Sequence, residues 1–126
     1  GRATERNTFF QTHMNEYAGR NQSGPQAFYR EGCPAGRLLA GAIQGAMNEK
    51  LSPKKIRTAL GGDYYILTLG VPSVLVECGF LTNPQEEAML LDQGYQRQLA
   101  AVLAGAWLTG QERGEADLQQ PENLIQ

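Results

Sequence analysis

Two residues of this sequence combine a chemically useful side chain with a setting that suits hydrolytic chemistry. His13, the only histidine of the chain, follows the β-branched and aromatic run TFFQT. Glu77 follows the apolar run SVLV. Both runs predict strands, and the ligands of α/β proteins gather at the carboxyl ends of strands. Because the two residues lie far apart along the chain, only the fold can bring them together.

Both residues also have a structural interpretation. A histidine that ends a buried strand can be a metal ligand, a general base or a hydrogen-bonded structural residue, and the residue types alone leave these roles of His13 open. A carboxylate at the end of an apolar strand loses hydration, which costs free energy unless it is paired, protonated or near a metal. For Glu77 the structural alternative is a buried salt bridge or a cap. Beside a metal-bound water it would act as a general base.

Composition excludes several classes of function. The chain has 126 residues, which is the size of one modest domain, and a formal net charge of -2. Phosphate recognition needs clustered Lys and Arg, so we do not expect a nucleic-acid binder. The one basic cluster is better explained as a solvated helix end and loop; it comprises Lys50, Lys54, Lys55 and Arg57. No apolar run approaches the roughly 18–20 residues that a transmembrane helix needs.

The cysteines and the start of the chain are less informative. Cys33 and Cys78 fit no C-x-x-C metal pattern, and we expect them to be small buried or half-buried residues without a disulfide. The first residues, GRATERNTFF, lack the apolar segment of a signal peptide and an initiator Met. Gly1 is therefore not expected to be the natural start of the protein.

Strands and helices alternate along the sequence. The four predicted strands are Thr8–Thr12, Ala27–Tyr29, Tyr64–Leu67 and Ser73–Glu77. The last of these is almost continuously apolar, which is typical of a central strand buried on both faces. We expect an α/β fold with a mostly parallel sheet flanked by helices.

Three helices are predicted between and after these strands. The first runs from about Pro34 to Leu51, the second follows an Asn83 cap with Pro84 at its first position, and the third runs from about Tyr95 to Thr109. The predicted apolar stripes are Leu38, Leu39, Ala42, Ile43, Ala46 and Met47 in the first helix, and Leu99, Val102, Leu103, Ala106 and Trp107 in the third.

The connecting segments are predicted from their glycine and polar content. A loop is expected over Asn15–Gln26 and a turn at Gly61-Gly62, and Gly110 is expected to end the third helix. This divides the chain into a domain at residues 1–110 and a polar tail at residues 111–126.

Two segments, VPSVLVECGFLTNPQEE around Glu77 and FQTHMN around His13, together resemble the zinc-dependent N-acetylmuramoyl-L-alanine amidases of the amidase type 3 family. Residues 71–87, VPSVLVECGFLTNPQEE, are similar to the signature P-x-V-L-V-E-x-G-F-x-x-N-x-x-E of that family. FQTHMN at residues 10–15 looks like the F-x-S-I-H-x-N motif, and GPQAFY at residues 24–29 resembles the glycine and aromatic strand that follows it. The resemblance covers about residues 8 to 109.

The resemblance implies a function and roles for both residues. Glu77 would be the catalytic carboxylate and His13 a ligand of Zn²⁺. The enzyme would cleave the amide between N-acetylmuramic acid and L-alanine, with peptidoglycan (muropeptides) as its substrate partner. Because that substrate lies outside the cytoplasmic membrane, the parent protein would be exported to the cell envelope or cell wall.

The sequence also departs from the pattern of the family. Gln11-Thr12 replace the usual Ser-Ile before the histidine, and the family's upstream G-H-G-G histidine and zinc-ligating glutamate have no counterparts here. Glu5 lies too close to His13 along one strand to replace them. The chain is therefore expected to be the C-terminal two-thirds of the catalytic domain, to lack the N-terminal strand segment of the family and to be inactive by itself.

Other functions remain open. The short segment between Tyr29 and Leu38 leaves no room for the regulatory insertion of division amidases, so the chain looks more like the sporulation amidases that act on spore cortex. A general autolysin or phage lysin is also compatible. From another class, a peptidoglycan-binding module derived from such an amidase is the main alternative, followed by an α/β domain in which both residues are structural. Nothing in the sequence indicates an oligomeric state.

Overall fold

A computed structural model describes the backbone of residues 9–15, 23–63 and 72–118, and the side chains of residues 23–63 and 72–109. In this part the elements are β1 (Phe9–Asn15), β2 (Gln26–Arg30), α1 (Pro34–Leu51), β3 (Leu60–Gly62), β4 (Ser73–Phe80), α2 (Pro84–Leu91) and α3 (Gln93–Leu118). The predicted α/β class is confirmed.

The described strands form one sheet in the order β1-β4-β2-β3. β4 pairs in parallel with β1 and antiparallel with β2, and β2 pairs in parallel with β3. Most described pairings are therefore parallel, as predicted. β4 occupies the interior of the sheet, and Val74 and Val76 are fully buried. The apolar run of residues 73–76 is thus a central strand, because its side chains are excluded from water on both faces.

The three described helices share one hydrophobic core with one face of β4. Val74, Val76 and Cys78 supply this face, as expected from the two-residue period of a strand. The helical members of the core are Leu39, Ala40, Ile43 and Met47 of α1, Leu90 of α2, and Leu99, Leu103 and Ala106 of α3. The stripe predicted for the third helix is confirmed, with Val102 and Trp107 packed at the edge of this core.

Helix α1 has the predicted bounds, and local chemistry explains both ends. The Sγ atom of Cys33 accepts a hydrogen bond from the backbone N–H of Gly36 at 3.4 Å, and Pro34 follows the cap. Ser52 ends the helix in the left-handed conformation with φ 45°. The predicted stripe is wrong at Leu38, which is exposed. The buried face is rotated towards Gln44, only 2% of which is exposed.

Gln44 is buried because its amide completes the hydrogen bonding of β2. Its Oε1 atom accepts from the N–H of Ala27 at 2.7 Å, and its Nε2 atom donates to the carbonyl of Pro25 at 3.1 Å. Pairing of β2 with β3 begins only at Phe28. The side chain of Gln44 thus acts as a partner for the start of β2, where buried backbone groups would otherwise be unsatisfied.

Two predictions based on glycine are wrong. Gly61 and Gly62 lie in β3 rather than in a turn. A Cβ atom on Gly61 would approach the ring of Tyr29 to 2.9 Å, so this glycine permits a close contact between strands. Gly110 does not end α3, which continues to Leu118, because one glycine costs a helix only about 1 kcal/mol.

Other predicted elements are confirmed, shifted or outside the described residues. α2 follows its predicted cap: Asn83 Oδ1 accepts from the N–H groups of Gln85 and Glu86. β1 extends beyond its predicted end to Asn15. The predicted strand at residues 64–67 and most of the predicted loop at residues 15–26 lie outside the described residues. Among the helices of the described part, none has the length and apolarity to cross a bilayer.

The role of Gln44 predicts a large effect of its replacement by an apolar residue. Gln44→Leu keeps a similar volume but leaves the Ala27 N–H and the Pro25 carbonyl buried without partners. We expect the free energy of unfolding to fall by about 2–4 kcal/mol. Glu49→Leu, on the exposed side of the same helix, is the matched control. Urea unfolding of the three proteins measures the difference, and equal stability of both variants would contradict the role of Gln44.

Burial raises the pKa of the Cys78 thiol from its ordinary value of 9.0 to about 11. The unfolded chain therefore loses this proton before the folded chain does. The resulting stabilisation is complete below about pH 9 and is lost as the pH rises towards about 11. We expect the difference in unfolding free energy between the wild-type chain and Cys78→Ala to shrink by about 2 kcal/mol across this range. A difference that stays constant with pH would contradict this prediction.

Candidate active site

The backbone register brings the two candidate residues together. His13 of β1 is the register partner of Glu77 of β4, and the two strands are parallel. Register partners on neighbouring strands occupy adjacent positions of a sheet. The pairing shifts between His13 and Asn15, where the register becomes irregular. Residues far apart in the sequence thus lie side by side, near the carboxyl ends of both strands.

Glu77 lies on the side of β4 away from the helical core. Its neighbours Val76 and Cys78 are buried in that core, whereas Glu77 is half-buried. Cys78 and Glu77 thus point to opposite faces, as follows from the alternation of side chains in a strand. On the other side of β4, the register partner of Glu77 is Gln26 of β2. Glu77 is therefore bordered by His13 on one strand and Gln26 on the other.

Near the same end of the sheet, one peptide group is held by two side chains of opposite charge. The carbonyl of Ser23 accepts hydrogen bonds from Arg57 Nε at 3.2 Å and from Arg57 Nη2 at 2.8 Å. The N–H of Gly24, in the same peptide group, donates to Glu86 Oε1 at 2.8 Å. We call Arg57, the Ser23–Gly24 peptide group and Glu86 the peptide clamp. Hydrogen bonds to charged groups contribute about 1.5–3 kcal/mol, so this arrangement is strong for its size.

Two glycines make the peptide clamp possible. Gly24 has φ +89°, and a Cβ atom there would lie 2.9 Å from the backbone oxygen of Lys55. A Cβ atom on Gly79 would lie 3.2 Å from Glu86 Oε1 and 3.0 Å from Leu90 Cδ1. The carboxylate of Glu86 therefore sits against the backbone of β4, two residues beyond Glu77, and reaches from there to Gly24.

Arg57 also contacts the end of β4. Its guanidinium carbon lies 5.6 Å from the centroid of the Phe80 ring, which is a cation–π distance. Its own carbonyl accepts from Asn48 Nδ2 at 2.7 Å, which ties it to α1. The sequence placed Arg57 in a solvated basic cluster, and for this residue that interpretation is wrong. No local pattern could reveal its role, because Ser23 and Phe80 are distant in sequence.

A cavity of about 690 Å³ adjoins the clamp. It is lined by Ser23, Gly24, residues 51–54, residues 83–86, Met89 and Tyr95. Burial raises the pKa of Tyr95 to about 12, with smaller contributions from the charges of Glu86 and Cys78. Tyr95 therefore stays protonated at neutral pH, so it can donate a hydrogen bond but cannot act as a base. Lys54 Nζ donates to Gln85 Oε1 at 2.8 Å at the rim.

The described side chains do not by themselves complete a metal site. Among them, no three His, Cys, Asp or Glu residues are grouped as metal ligands. A catalytic zinc site usually has three protein ligands and an open position for water. Cys78 faces the core, and Cys33 caps α1. Among the side chains that the structure describes, the donors near Glu77 therefore fall short of what zinc requires.

Known proteins similar to this chain are amidases of the bacterial cell wall polymer. The N-acetylmuramoyl-L-alanine amidase family model matches residues 1–107. The germination-specific N-acetylmuramoyl-L-alanine amidase of Bacillus subtilis is 27% identical over 101 residues, which cover 79% of this chain and 43% of that protein. The probable N-acetylmuramoyl-L-alanine amidase AmiB of Haemophilus influenzae is 39% identical over 56 residues, which cover 44% of this chain and 13% of that protein.

A solved structure shows the same fold. The CwlD amidase of Clostridioides difficile, in complex with the GerS lipoprotein, superposes with a TM-score of 0.75 at 28% identity. The match covers 87% of this chain and 55% of that one, so the chain spans about half the length of these relatives. Both candidate residues and the peptide clamp fall within the matched region, residues 1–107. The chain therefore belongs to the N-acetylmuramoyl-L-alanine amidase family, of amidase type 3.

Proposed function

We propose that the full-length protein hydrolyses the amide between N-acetylmuramic acid and L-alanine in peptidoglycan, and that Glu77 is its catalytic carboxylate. The observation that carries this proposal is the register of His13 beside Glu77 in a region matched by the amidase family model. The structural alternative for Glu77 is a salt bridge or cap. Its half-buried position on the face away from the helical core favours the catalytic role.

Glu77 would move one proton in each half of the reaction. As general base it takes a proton from the attacking water, and as general acid it delivers that proton to the amine of the leaving L-alanine. Gln26, its register partner, is held by hydrogen bonds from its Nε2 atom to the carbonyl of Thr58 at 2.8 Å and to Gln44 Oε1 at 3.3 Å. Such a fixed neighbour limits the movement of the strand that carries Glu77.

We further propose that the full-length enzyme is zinc-dependent, with His13 as one ligand. When bound, zinc would polarise the scissile carbonyl and lower the pKa of a bound water. This proposal is supported by the resemblance of the His13 motif to that of the family. Because the donors of the described residues fall short of a zinc site, the other ligands would have to come from elsewhere in the protein.

A role at the spore and an extracytoplasmic location complete the proposal. The B. subtilis relative is named as germination-specific, and the C. difficile relative was solved with a lipoprotein. We therefore propose that the substrate is spore-cortex peptidoglycan and that the protein is exported to reach it. The alternative function is a peptidoglycan-binding module without activity, for which binding of muropeptides without turnover is the distinguishing result.

Replacing the carboxylate of Glu77 tests its role. In the full-length protein, Glu77→Gln keeps the shape of the side chain but cannot accept a proton. We expect kcat for release of stem peptide from peptidoglycan to fall by about 10²-fold or more, as is typical for loss of a general base. Glu31→Gln, an exposed carboxylate after β2, is the matched control and should keep wild-type turnover. Full activity of Glu77→Gln would refute the assignment.

Zinc binding by the isolated chain is expected to be weak. One imidazole with one carboxylate cannot hold zinc as three ligands do. After dialysis, metal analysis of the purified 126-residue chain should find well below one zinc per molecule, and the chain should not cleave peptidoglycan. Stoichiometric zinc that disappears in His13→Ala would show that this chain contains a complete ligand set.

A further inference from the structure

We infer that Glu86 is a positioning residue for Glu77, acting through the peptide clamp. The inference rests on the proposed function, because it assigns Glu86 to the reaction that Glu77 would perform. Within α2 itself, Glu86 is simply an acidic residue of the first helical turn.

The carboxylate of Glu86 binds the backbone before β2 and lies close to the backbone of β4. Its Oε1 atom accepts from the N–H of Gly24, which lies 62 residues away in sequence and two residues before β2. The same oxygen lies where a Cβ atom of Gly79 would be only 3.2 Å away. Glu86 itself is buried, with 7% of its surface exposed. One carboxylate of α2 thus bonds to the segment that leads into β2 and packs close to the end of β4.

This link fixes the neighbourhood of Glu77. Gln26 is the register partner of Glu77 and lies two residues after Gly24. Gly79 lies two residues after Glu77. The bond between Glu86 and Gly24 therefore closes a short loop of contacts around the Glu77–Gln26 pair. Loss of that bond removes one restraint on the two strand ends, so the carboxylate of Glu77 is held less precisely.

Arg57 holds the other side of the same peptide group. It donates two hydrogen bonds to the Ser23 carbonyl and stacks on Phe80, three residues beyond Glu77. Opposite charges on the two sides of one peptide group polarise it in the same sense, and this strengthens both bonds. Glu86 and Arg57 thus act on the same strand ends from different elements.

Two variants distinguish the effect of the length of the Glu86 side chain from the effect of its charge. Glu86→Gln keeps an oxygen at the same reach for the Gly24 N–H and removes the charge. Glu86→Asp keeps the charge but is one methylene too short. If Glu86 acts by position, the amide variant should be closer to wild type than the shorter acid. Glu87→Gln, on the next residue and exposed, is the matched control.

The kinetic experiment uses the full-length protein and peptidoglycan, with rates expressed per folded molecule. We expect kcat to fall by about tenfold or more in Glu86→Asp and by less than about threefold in Glu86→Gln, with KM within about twofold of wild type in both. Glu87→Gln should match wild type. Unchanged kcat per folded molecule in Glu86→Asp, a change confined to KM, or better turnover in Glu86→Asp than in Glu86→Gln would each overturn the inference.

A second measurement keeps the clamp testable apart from catalysis. Hydrogen exchange of the Gly24 amide should be at least about tenfold faster in Glu86→Asp than in wild type. In Glu86→Gln, which keeps the bond but loses its charge, exchange should increase less than in Glu86→Asp. Unchanged exchange in Glu86→Asp would overturn the clamp whatever the kinetics. Full activity of Glu77→Gln would instead refute the proposed role of Glu77 while the exchange result for the clamp stands.

Discussion

The burial of β4 in the interior of the sheet is the constraint on which the candidate site depends. Val74 and Val76 are fully buried against the helices. Because successive side chains of a strand point to opposite faces, Glu77 lies on the other face of the sheet. Its carboxylate must lie on the side away from the helical core, where it is half-buried rather than enclosed. The free energy that holds the strand in place comes mainly from the burial of its apolar residues.

The same strand also explains the residues that follow it. After Phe80 the chain turns, and the cap at Asn83 starts α2 in a fixed direction. This places Glu86 in the first helical turn, where the helix dipole stabilises a negative charge, and Gly79 leaves space beneath it. One local geometry therefore accounts for the order of four features along residues 77–86: the Glu77 carboxylate, Gly79, the Asn83 cap and the Glu86 carboxylate.

The parts of the fold that the sequence predicts well are those decided by neighbouring residues. The bounds of α1 follow from Pro34, Ser52 and Pro53, and the position of β4 follows from its apolar run. The burial of Gln44 could not be predicted from the helix sequence, because its hydrogen-bond partners are backbone groups at the start of β2. The strand at Gly61 cannot be predicted for a related reason, because a glycine pair predicts a turn unless the approaching ring of Tyr29 is known. For the candidate site, the sequence supplied His13 and Glu77 and the register brings them together, whereas their roles stay predictions. The peptide clamp could not be predicted from the sequence, because its hydrogen bonds connect residue 24 with residue 86 and residue 23 with residue 57.

Three polar contacts around the site each join a side chain to a backbone group, and this affects which residues can vary in sequence. Glu86 binds the N–H of Gly24, Arg57 binds the carbonyl of Ser23, and Gln26 binds the carbonyl of Thr58. In each pair the acceptor or donor on the far side is backbone, so the identity of the side chain there is not constrained by the bond. Ser23 and Thr58 can therefore change without loss of these contacts, and so can the exposed side chains of residues 54–56 beside the cavity. These segments can therefore vary in sequence while the strand that carries Glu77 keeps its place.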